Sequence, residues 1–165
     1  MISVLVKGIA NTDQITAFET IVPIDLSKIF LGHLGLPAVI GTKDETGAWN
    51  EAGQTRTVYL SDGSEASEKK DGYKHPDSFD YTVSNFTGIL RFLAKSAKGK
   101  WKFTAKSADQ TMIEWEYGFV PRSIFVWPIM WVVAKCLWTG YMRKALSESI
   151  KIANENNPTQ SSLNA

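Results

Sequence analysis

Two periods of apolar residues divide the chain into a strand-rich middle and a helical C-terminal part. Between residues 53 and 121, large apolar residues alternate with polar ones, which is the pattern of half-buried β-strands. An Asp62-Gly63 pair separates the first two runs and is a strong signal for a hairpin turn. The alternation predicts antiparallel strands at residues 55–61, 79–83, 100–106 and 113–119, and the turn predicts a return strand at residues 65–70, about five in all.

The C-terminal part has helical periodicity. Apolar residues recur at spacings of three and four from about residue 124 to residue 153, which predicts one long helix. Residues 124–142 carry only one charge and approach the length of a membrane span. Lys135 near the middle, Pro128 inside the run and the amphipathic continuation favour a core helix instead.

The N-terminal part is less regular. Residues 14–22 are rich in β-formers and predict a strand. Residues 24–30 predict a short helix after it, and Gly32, Gly35 and Pro37 break off a second, short and irregular helical piece. Residues 1–10 predict a strand or helix that docks on the domain, and residues 42–50 predict a loop. The polar residues 154–165 predict a disordered tail.

This order of elements predicts one α+β domain over residues 1–153. The strands present large aromatic residues to one side, and the last helix presents tryptophans to match them. Both surfaces are buried if a curved antiparallel sheet wraps around the long C-terminal helix, which is the helix-grip arrangement. A sheet curved around one helix tends to leave a hollow between them.

Composition sharpens this picture. Aromatic residues make up 12% of the chain, with 6 Trp, and such residues line apolar pockets as well as cores. The formal net charge is +1 and no basic stripe follows the aromatic residues, so a nucleic-acid partner is not expected. Cys136 is the only cysteine, which excludes an internal disulfide and fits a reducing compartment, so we expect a cytoplasmic protein.

No motif identifies a reaction. His33 and His75 are the only histidines, and neither has a cysteine or carboxylate neighbour at metal-ligand spacing. Nucleophile elbows, phosphate loops and dinucleotide fingerprints do not occur. We therefore expect no metal and no cofactor, and enzymatic activity stays open.

An ordered set of short motifs resembles the START-like, or SRPBCC, superfamily. The set is Trp49, then Gly53-x-x-Arg56-x-Val58-x-Leu60-x-Asp62-Gly63, Glu68, Phe79-x-Tyr81-x-Val83, Glu114-Trp115, Phe119-x-Pro121 and the closing helix. It covers about residues 13 to 153. The resemblance implies a helix-grip fold with a cavity for a hydrophobic or amphipathic ligand of lipid, isoprenoid or polyketide-like aromatic type. A polyketide cyclase/dehydratase-like enzyme using the same cavity is the alternative.

Two charged residues are candidates for the polar end of that cavity. Arg56 shares strand parity with Val58 and Leu60, which places it inward if they are inward. A two-residue turn puts Glu68 on the opposite face, whereas a three-residue turn puts it on the same face, across from Val58. The superfamily pattern implies the second turn and a buried charged pair. The pair then either orients a ligand or forms a rim salt bridge.

The predicted ligand-binding residues lie on the inward strand positions and on one face of the last helix. The Tyr81 and Tyr117 hydroxyls either bind a ligand or reach solvent, and the tryptophans are either pocket wall or core. The set is Trp49, Arg56, Val58, Leu60, Glu68, Tyr81, Val83, Trp115, Tyr117, Trp127, Met130, Trp131, Ala134 and Trp138.

The other face of the last helix is apolar as well. It carries Val132, Val133, Cys136, Leu137 and Gly140, which need cover from the short helices, the N-terminal segment, a second subunit or a membrane surface. Apart from its small-molecule ligand, the chain is therefore expected to form a homodimer or to contact a membrane.

Overall fold

The computed structural model describes residues 1–157. Seven strands of this part of the chain form one antiparallel sheet, in the order β1-β7-β6-β5-β4-β3-β2. Neighbouring strands are consecutive in the sequence except for the pairing of β1 with β7, the first and the last strand. The strands are β1 (Ile2–Ala10), β2 (Val39–Lys43), β3 (Thr55–Leu60), β4 (Glu65–Lys74), β5 (Ser78–Ser84), β6 (Ala94–Ser107) and β7 (Gln110–Pro121).

The helices lie between β1 and β2, between β5 and β6, and after β7. They are α1 (Gln14–Ile21), a short 3₁₀ helix (Leu26–Lys28), α2 (Leu90–Leu93), α3 (Trp127–Val132), a π-helical segment (Val133–Trp138) and α4 (Thr139–Glu155). The last three form one continuous helix. The predicted fold class, a curved antiparallel sheet with a long C-terminal helix and short helices after the first strand, is confirmed.

The N-terminal elements differ from the prediction. The first strand is β1, and the predicted strand at residues 14–22 is wrong, because these residues form α1. Asp13 caps this helix by accepting a hydrogen bond from the Thr16 backbone N–H at 3.0 Å. Ala17, Phe18 and Ile21 then share one buried face. Of the two predicted short helices, the first, at residues 24–30, is only the 3₁₀ turn Leu26–Lys28. The glycine-broken piece after it is not helical and contains an isolated bridge between His33 and Leu36.

The sheet is also wider than predicted. Residues 42 and 43 belong to β2 and not to the predicted loop, and β2 forms one edge of the sheet against β3 with an irregularity at Gly41. β6 begins at Ala94, directly after α2, so it is longer than the alternation around Trp101 indicates.

The core is aromatic and lies on the concave face of the sheet. Trp101 and Trp115 are cross-strand partners whose rings stack with centroids 4.5 Å apart. Such pairs contribute about 0.5–1.5 kcal/mol beyond the burial of their area. Phe18 of α1 closes one end of this face by edge-on contacts to Phe79 and Phe103.

The C-terminal helix changes register in its middle. In the π-helical segment the Thr139 hydroxyl donates to the Ala134 carbonyl at 3.0 Å, a five-residue step. This wider turn breaks the single face that the spacing predicts. Trp138 faces the sheet, but Trp127 and Trp131 are 43% and 42% exposed.

No helix within residues 1–157 is long and apolar enough to cross a membrane. Pro128 lies in the first turn of α3, where proline is tolerated. The Lys135 ammonium donates to the Ser3 carbonyl at 2.6 Å, so it joins the helix to β1.

The start of the predicted tail is tied to the domain. α4 continues to Glu155, and Asn154 accepts a hydrogen bond from the Asn11 backbone N–H at 2.7 Å. The remainder of that predicted disordered tail, residues 158–165, lies outside the described residues.

Candidate ligand-binding cavity

A cavity of about 340 Å³ lies between the concave face of the sheet and the C-terminal helix. β3 to β7 form its floor, the π-helical segment and the start of α4 form its roof, and the 3₁₀ region and α2 form its sides. Its lining is mostly apolar. A few polar groups interrupt it, which is the composition expected of a small-molecule site.

Aromatic side chains form one wall of the cavity. The Trp115 indole N–H donates to the Tyr81 hydroxyl at 3.2 Å. Tyr117 lies beside both, and the Trp138 ring lies 5.0 Å from the Tyr117 ring, between sheet and helix. The wall therefore joins two strands to the helix through ring contacts.

A glycine makes room for this wall. Gly99 on β6 pairs with Tyr81 on β5, and the Tyr81 ring lies across the position that a β-carbon at residue 99 would occupy. We expect Gly99→Ala to displace the Tyr81 ring and lower the free energy of unfolding by about 1–3 kcal/mol. Urea denaturation measures the loss, and near-UV circular dichroism reports the changed aromatic packing. Lys98→Ala, at an exposed neighbour, is the control, and an equal effect there would contradict the explanation.

A buried ion pair lies on the opposite wall. Arg56 on β3 and Glu68 on β4 are direct cross-strand partners, and the Arg56 Nε donates to Glu68 Oε2 at 2.6 Å. They are only 9% and 6% exposed, so this is not an exposed salt bridge at the rim. No other hydrogen bond joins the Arg56 guanidinium to a described residue, so its terminal nitrogens are available to a ligand.

The hairpin turn puts the pair on one face. Residues 61–63 form a three-residue loop, and the Leu60 backbone N–H donates to the Ser64 carbonyl at 2.9 Å. Gly63 has φ of +80°, which suits glycine. A three-residue loop was predicted, and as predicted it places Arg56 and Glu68 on the same face of the sheet. The register differs from the prediction, because Glu68 lies opposite Arg56 and not opposite Val58.

A third buried charge, Lys70, was not predicted. Its ammonium donates to the Trp49 carbonyl and lies 5.0, 4.9 and 5.0 Å from the ring centroids of Trp49, Tyr73 and Phe79. Burial and repulsion from Arg56 together lower the Lys70 pKa to about 7, with Glu68 partly offsetting both. Lys70 is two positions after Glu68 on the same strand, so strand parity could have predicted that its side chain lies on the same face of the sheet as Glu68.

Trp49 connects the two cations. The Arg56 guanidinium lies 4.0 Å from the centroid of its ring, and Lys70 contacts the same ring. Both contacts are cation–π interactions, which strengthen when the cation is desolvated. Arg56, Glu68, Lys70 and Trp49 therefore form one unit with two positive charges and one negative charge, here called the buried charge cluster.

The tyrosine hydroxyls act as hydrogen-bond donors. Burial raises the pKa of Tyr81 and of Tyr117 far above neutral pH. The Tyr117 hydroxyl makes no hydrogen bond to a described residue, and the Trp138 indole N–H is buried without a partner among residues 1–157. These groups can donate to a ligand, but they cannot act as bases at neutral pH. The alternative of a cyclase-like enzyme stays a prediction.

The structure brings most of the predicted site residues to the cavity, and whether they bind a ligand stays a prediction. Trp127 and Trp131 lie outside its lining because they are partly exposed, and Met130 and Ala134 are packed in the core elsewhere. Predicted residues on the lining are Trp49, Arg56, Val58, Leu60, Glu68, Tyr81, Val83, Trp115, Tyr117 and Trp138.

The apolar sides of the cavity were missed by sequence reasoning. They come from the region around the 3₁₀ helix, where the sequence predicted a short helix but no contact with the cavity, and from α2, which was not predicted. Their residues include Ile24, Leu26, Ile29, Phe30, Leu36, Phe86, Leu90 and Leu93. Within residues 1–157, no three His, Cys, Asp or Glu side chains are grouped closely enough to hold a metal ion.

Comparison with known proteins identifies the fold but not a close relative. No protein-family model matches the chain, and no curated protein matches it. Norcoclaurine synthase from Thalictrum flavum, in a point mutant with a transition-state analogue, is 15% identical with a TM-score of 0.69. The alignment covers 93% of this chain and 94% of that one.

Two further solved structures agree. Ara h 8.0201 is 17% identical with a TM-score of 0.65, and the alignment covers 93% of this chain and 95% of that one. Major latex-like protein 151 from Panax ginseng is 14% identical with a TM-score of 0.67, covering 90% and 95%. Over almost its whole length, the chain therefore has the same helix-grip fold as these proteins, a curved antiparallel sheet with a long C-terminal helix.

Proposed function

We propose that this protein binds an apolar or amphipathic small molecule, of lipid, isoprenoid or aromatic polyketide type, between the sheet and the C-terminal helix. The observation that supports this is the apolar cavity, of about 340 Å³, in an otherwise densely packed aromatic core. Hollow space costs stability because its lining loses packing contacts. A structural core of this size would be more stable if it were filled.

Apolar burial supplies most of the binding free energy in this proposal. Each methylene group that a ligand buries contributes about 0.8 kcal/mol, before the cost of immobilising the ligand. The aromatic wall offers flat surfaces for rings as well as chains. A further crystal structure of norcoclaurine synthase, 13% identical with a TM-score of 0.67, holds dopamine and hydroxybenzaldehyde. Ligands of that size class are compatible with this cavity.

The polar groups of the wall favour a ligand with hydrogen-bond acceptors at one end. The terminal N–H groups of Arg56 make no hydrogen bond to residues 1–157, and the Tyr117 hydroxyl and the Trp138 indole N–H are further donors. The buried charge cluster has an excess of positive charge. A carboxylate, sulfonate or carbonyl oxygen is therefore the end group that this wall accommodates best.

Filling the cavity is expected to abolish binding. Val58 is buried on β3 and lines the cavity, so Val58→Phe places a ring inside it. The probe is 1-anilinonaphthalene-8-sulfonate, an aromatic anion whose fluorescence rises in apolar surroundings. We expect stoichiometric binding to the native protein and at least about a tenfold weaker affinity in the variant, because a phenyl group removes much of the space.

Thr57→Phe is the matched control, since residue 57 is the next position on β3 and faces the other side of the sheet. It should bind the probe like the unaltered protein. Equal binding in both variants would place the probe outside the cavity and contradict the proposal. If only Val58→Phe weakens binding, the natural ligand class can be identified next. Mass spectrometry of what the denatured protein releases, after purification from its native source, would identify it.

A further inference from the structure

A continuous group of large apolar side chains is exposed beside the cavity. It comes from α2, from residues 122–126 and from α3, and it is here called the apolar rim. α2 and residues 122–126 are joined because the Arg122 backbone N–H donates to the Leu93 carbonyl at 2.9 Å. Phe125 is 88% exposed. The rim consists of Ile89, Phe92, Ile124, Phe125, Trp127, Ile129, Trp131 and Val132.

An exposed apolar group of this size marks a contact surface. Its side chains come from three segments, of which α2 is joined to residues 122–126 by the Arg122–Leu93 hydrogen bond and residues 122–126 lead directly into α3. Two of them are tryptophans, whose amphipathic rings favour the boundary between lipid headgroups and hydrocarbon. The rim therefore needs an occupant with an apolar surface.

The rim borders the cavity. Ile89, Leu90 and Leu93 at α2 line the cavity from one side. Val133 and Leu137 line it from the helix that continues from α3. An apolar molecule that leaves the cavity between these elements would pass directly onto the rim.

The segments that supply the rim carry charge of one sign. Residues 85–108 and 117–147 contain no Asp or Glu, and they supply every residue of the rim. Arg91 and Arg122 are exposed next to it. The Arg91 guanidinium lies 4.4 Å from the Phe92 ring centroid, and Arg122 donates to the Arg91 carbonyl at 3.2 Å. Lys95 and Lys135 are exposed on the same segments.

This charge distribution favours an anionic surface over a second copy of the chain. In a two-fold dimer built on the rim, Arg91 and Arg122 would approach the same cations of the partner. Anionic lipid headgroups attract such residues, each contributing about 1 kcal/mol near the surface, while apolar side chains enter the acyl boundary. Basic residues around exposed Trp, Phe and Ile are the composition of an interfacial segment.

We propose that the apolar rim docks on anionic lipid membranes, lying in the interface without spanning the bilayer. Phe125 and Ile124 enter furthest, Trp127 and Trp131 lie at the headgroup level, and the arginines bind phosphates. The cavity then opens towards the bilayer. Docking does not depend on what the cavity binds, so it can hold even if the proposed small-molecule function fails.

Vesicle co-sedimentation tests the proposal with the full chain. The probes are vesicles of phosphatidylcholine alone and vesicles of phosphatidylcholine mixed with phosphatidylserine. We expect binding to the mixed vesicles, weakening as salt is raised, and at least about tenfold weaker binding to phosphatidylcholine alone. Absence of binding to the mixed vesicles would overturn the proposal.

Two double variants separate the apolar and ionic contributions. Ile124→Ser with Phe125→Ser should reduce binding to the mixed vesicles at least about tenfold, since both side chains would otherwise be buried in lipid. Arg91→Gln with Arg122→Gln should reduce it roughly fivefold per arginine and flatten the salt dependence. These residues are exposed, so circular dichroism should show a folded protein in each case.

Ile9→Ser with Ile15→Ser is the control, because both are exposed apolar residues that do not belong to the rim. Ile9 pairs with Met112 at the opposite end of β7 from Pro121. This control should bind like the unaltered protein, and an equal loss would overturn the proposal.

Tryptophan fluorescence gives an independent readout. Brominated lipids should quench emission on docking, and Trp127→Phe with Trp131→Phe should lose most of that quenching while still binding. A sedimentation-velocity dimer that Ile124→Ser with Phe125→Ser dissociates would also overturn the proposal, because the rim would then be a self-association surface.

Discussion

Glu68→Gln is expected to lower the free energy of unfolding by about 3–5 kcal/mol, because it removes the only anion of the buried charge cluster. Arg56 would then remain as a buried cation without a counter-charge, and the Lys70 pKa would fall further because Glu68 no longer raises it. The glutamine has the same shape, so packing is preserved and the loss is electrostatic. Urea denaturation followed by circular dichroism measures it. Glu116→Gln, an exposed position on β7, should change stability by no more than about 0.5 kcal/mol.

Removal of the cation should cost less than removal of the anion. In Arg56→Met, Glu68 keeps Lys70 as a counter-charge, and the Lys70 pKa should rise because Arg56 no longer repels it. The double variant Arg56→Met with Glu68→Met should recover most of the loss seen for Glu68→Gln, since it leaves only Lys70, whose lowered pKa allows it to deprotonate. Equal losses for Glu68→Gln and the exposed control would show that the cluster is solvated.

Stability is expected to rise between about pH 7 and pH 10 and to fall above that range. The Lys70 pKa is about 7 in the folded protein, against 10.5 for an ordinary lysine. Between these values the unfolded chain binds a proton that the folded protein lacks, so raising the pH favours folding by up to about 1.4 kcal/mol per pH unit. Below pH 7 both states are protonated and this gain is absent.

The fall above pH 10 has a separate cause. Burial raises the pKa of Tyr141 to about 12, and raises those of Tyr81 and Tyr117 as well. Unfolded tyrosines ionise near pH 10 while the folded ones keep their protons, so higher pH favours the unfolded chain.

Urea midpoints measured from pH 6 to pH 11 test both effects. Lys70→Met should remove the rise between pH 7 and pH 10 and keep the fall above it. Lys69→Met, at the exposed neighbouring position, should keep the rise. A flat response in the unaltered protein would show that the Lys70 ammonium is not desolvated.

Apart from β4, which was predicted from the Asp62-Gly63 turn, the strands from β3 to β7 could be predicted from alternation. Each has one face on the aromatic core and one towards solvent, so burial imposes period two directly on the sequence. The long C-terminal helix likewise follows from its period. Residues 14–22 misled because a short run containing Ile15, Ala17 and Phe18 fits either period, and the Asp13 cap decides between them.

The candidate site was predictable only in part. Parity places Arg56, Val58 and Leu60 on one face, and it could also have placed Lys70 with Glu68. The positions of Trp127 and Trp131 could not be predicted, because the π-helical segment shifts the faces of the helix and depends on packing against the sheet. The sides of the cavity come from the region around the 3₁₀ helix, whose contact with the cavity was not predicted, and from α2, which was not predicted.

By itself, the sequence determined the strand faces, the closing helix and the aromatic surplus, because these are local patterns that burial imposes residue by residue. Only the tertiary structure decided that Glu68 faces Arg56, that Lys70 is enclosed by three rings, and that one end of the last helix is left exposed. Those outcomes depend on strand register, on the hairpin loop and on a helical irregularity. Each of these is settled by the sum of many long-range contacts and not by the neighbouring residues.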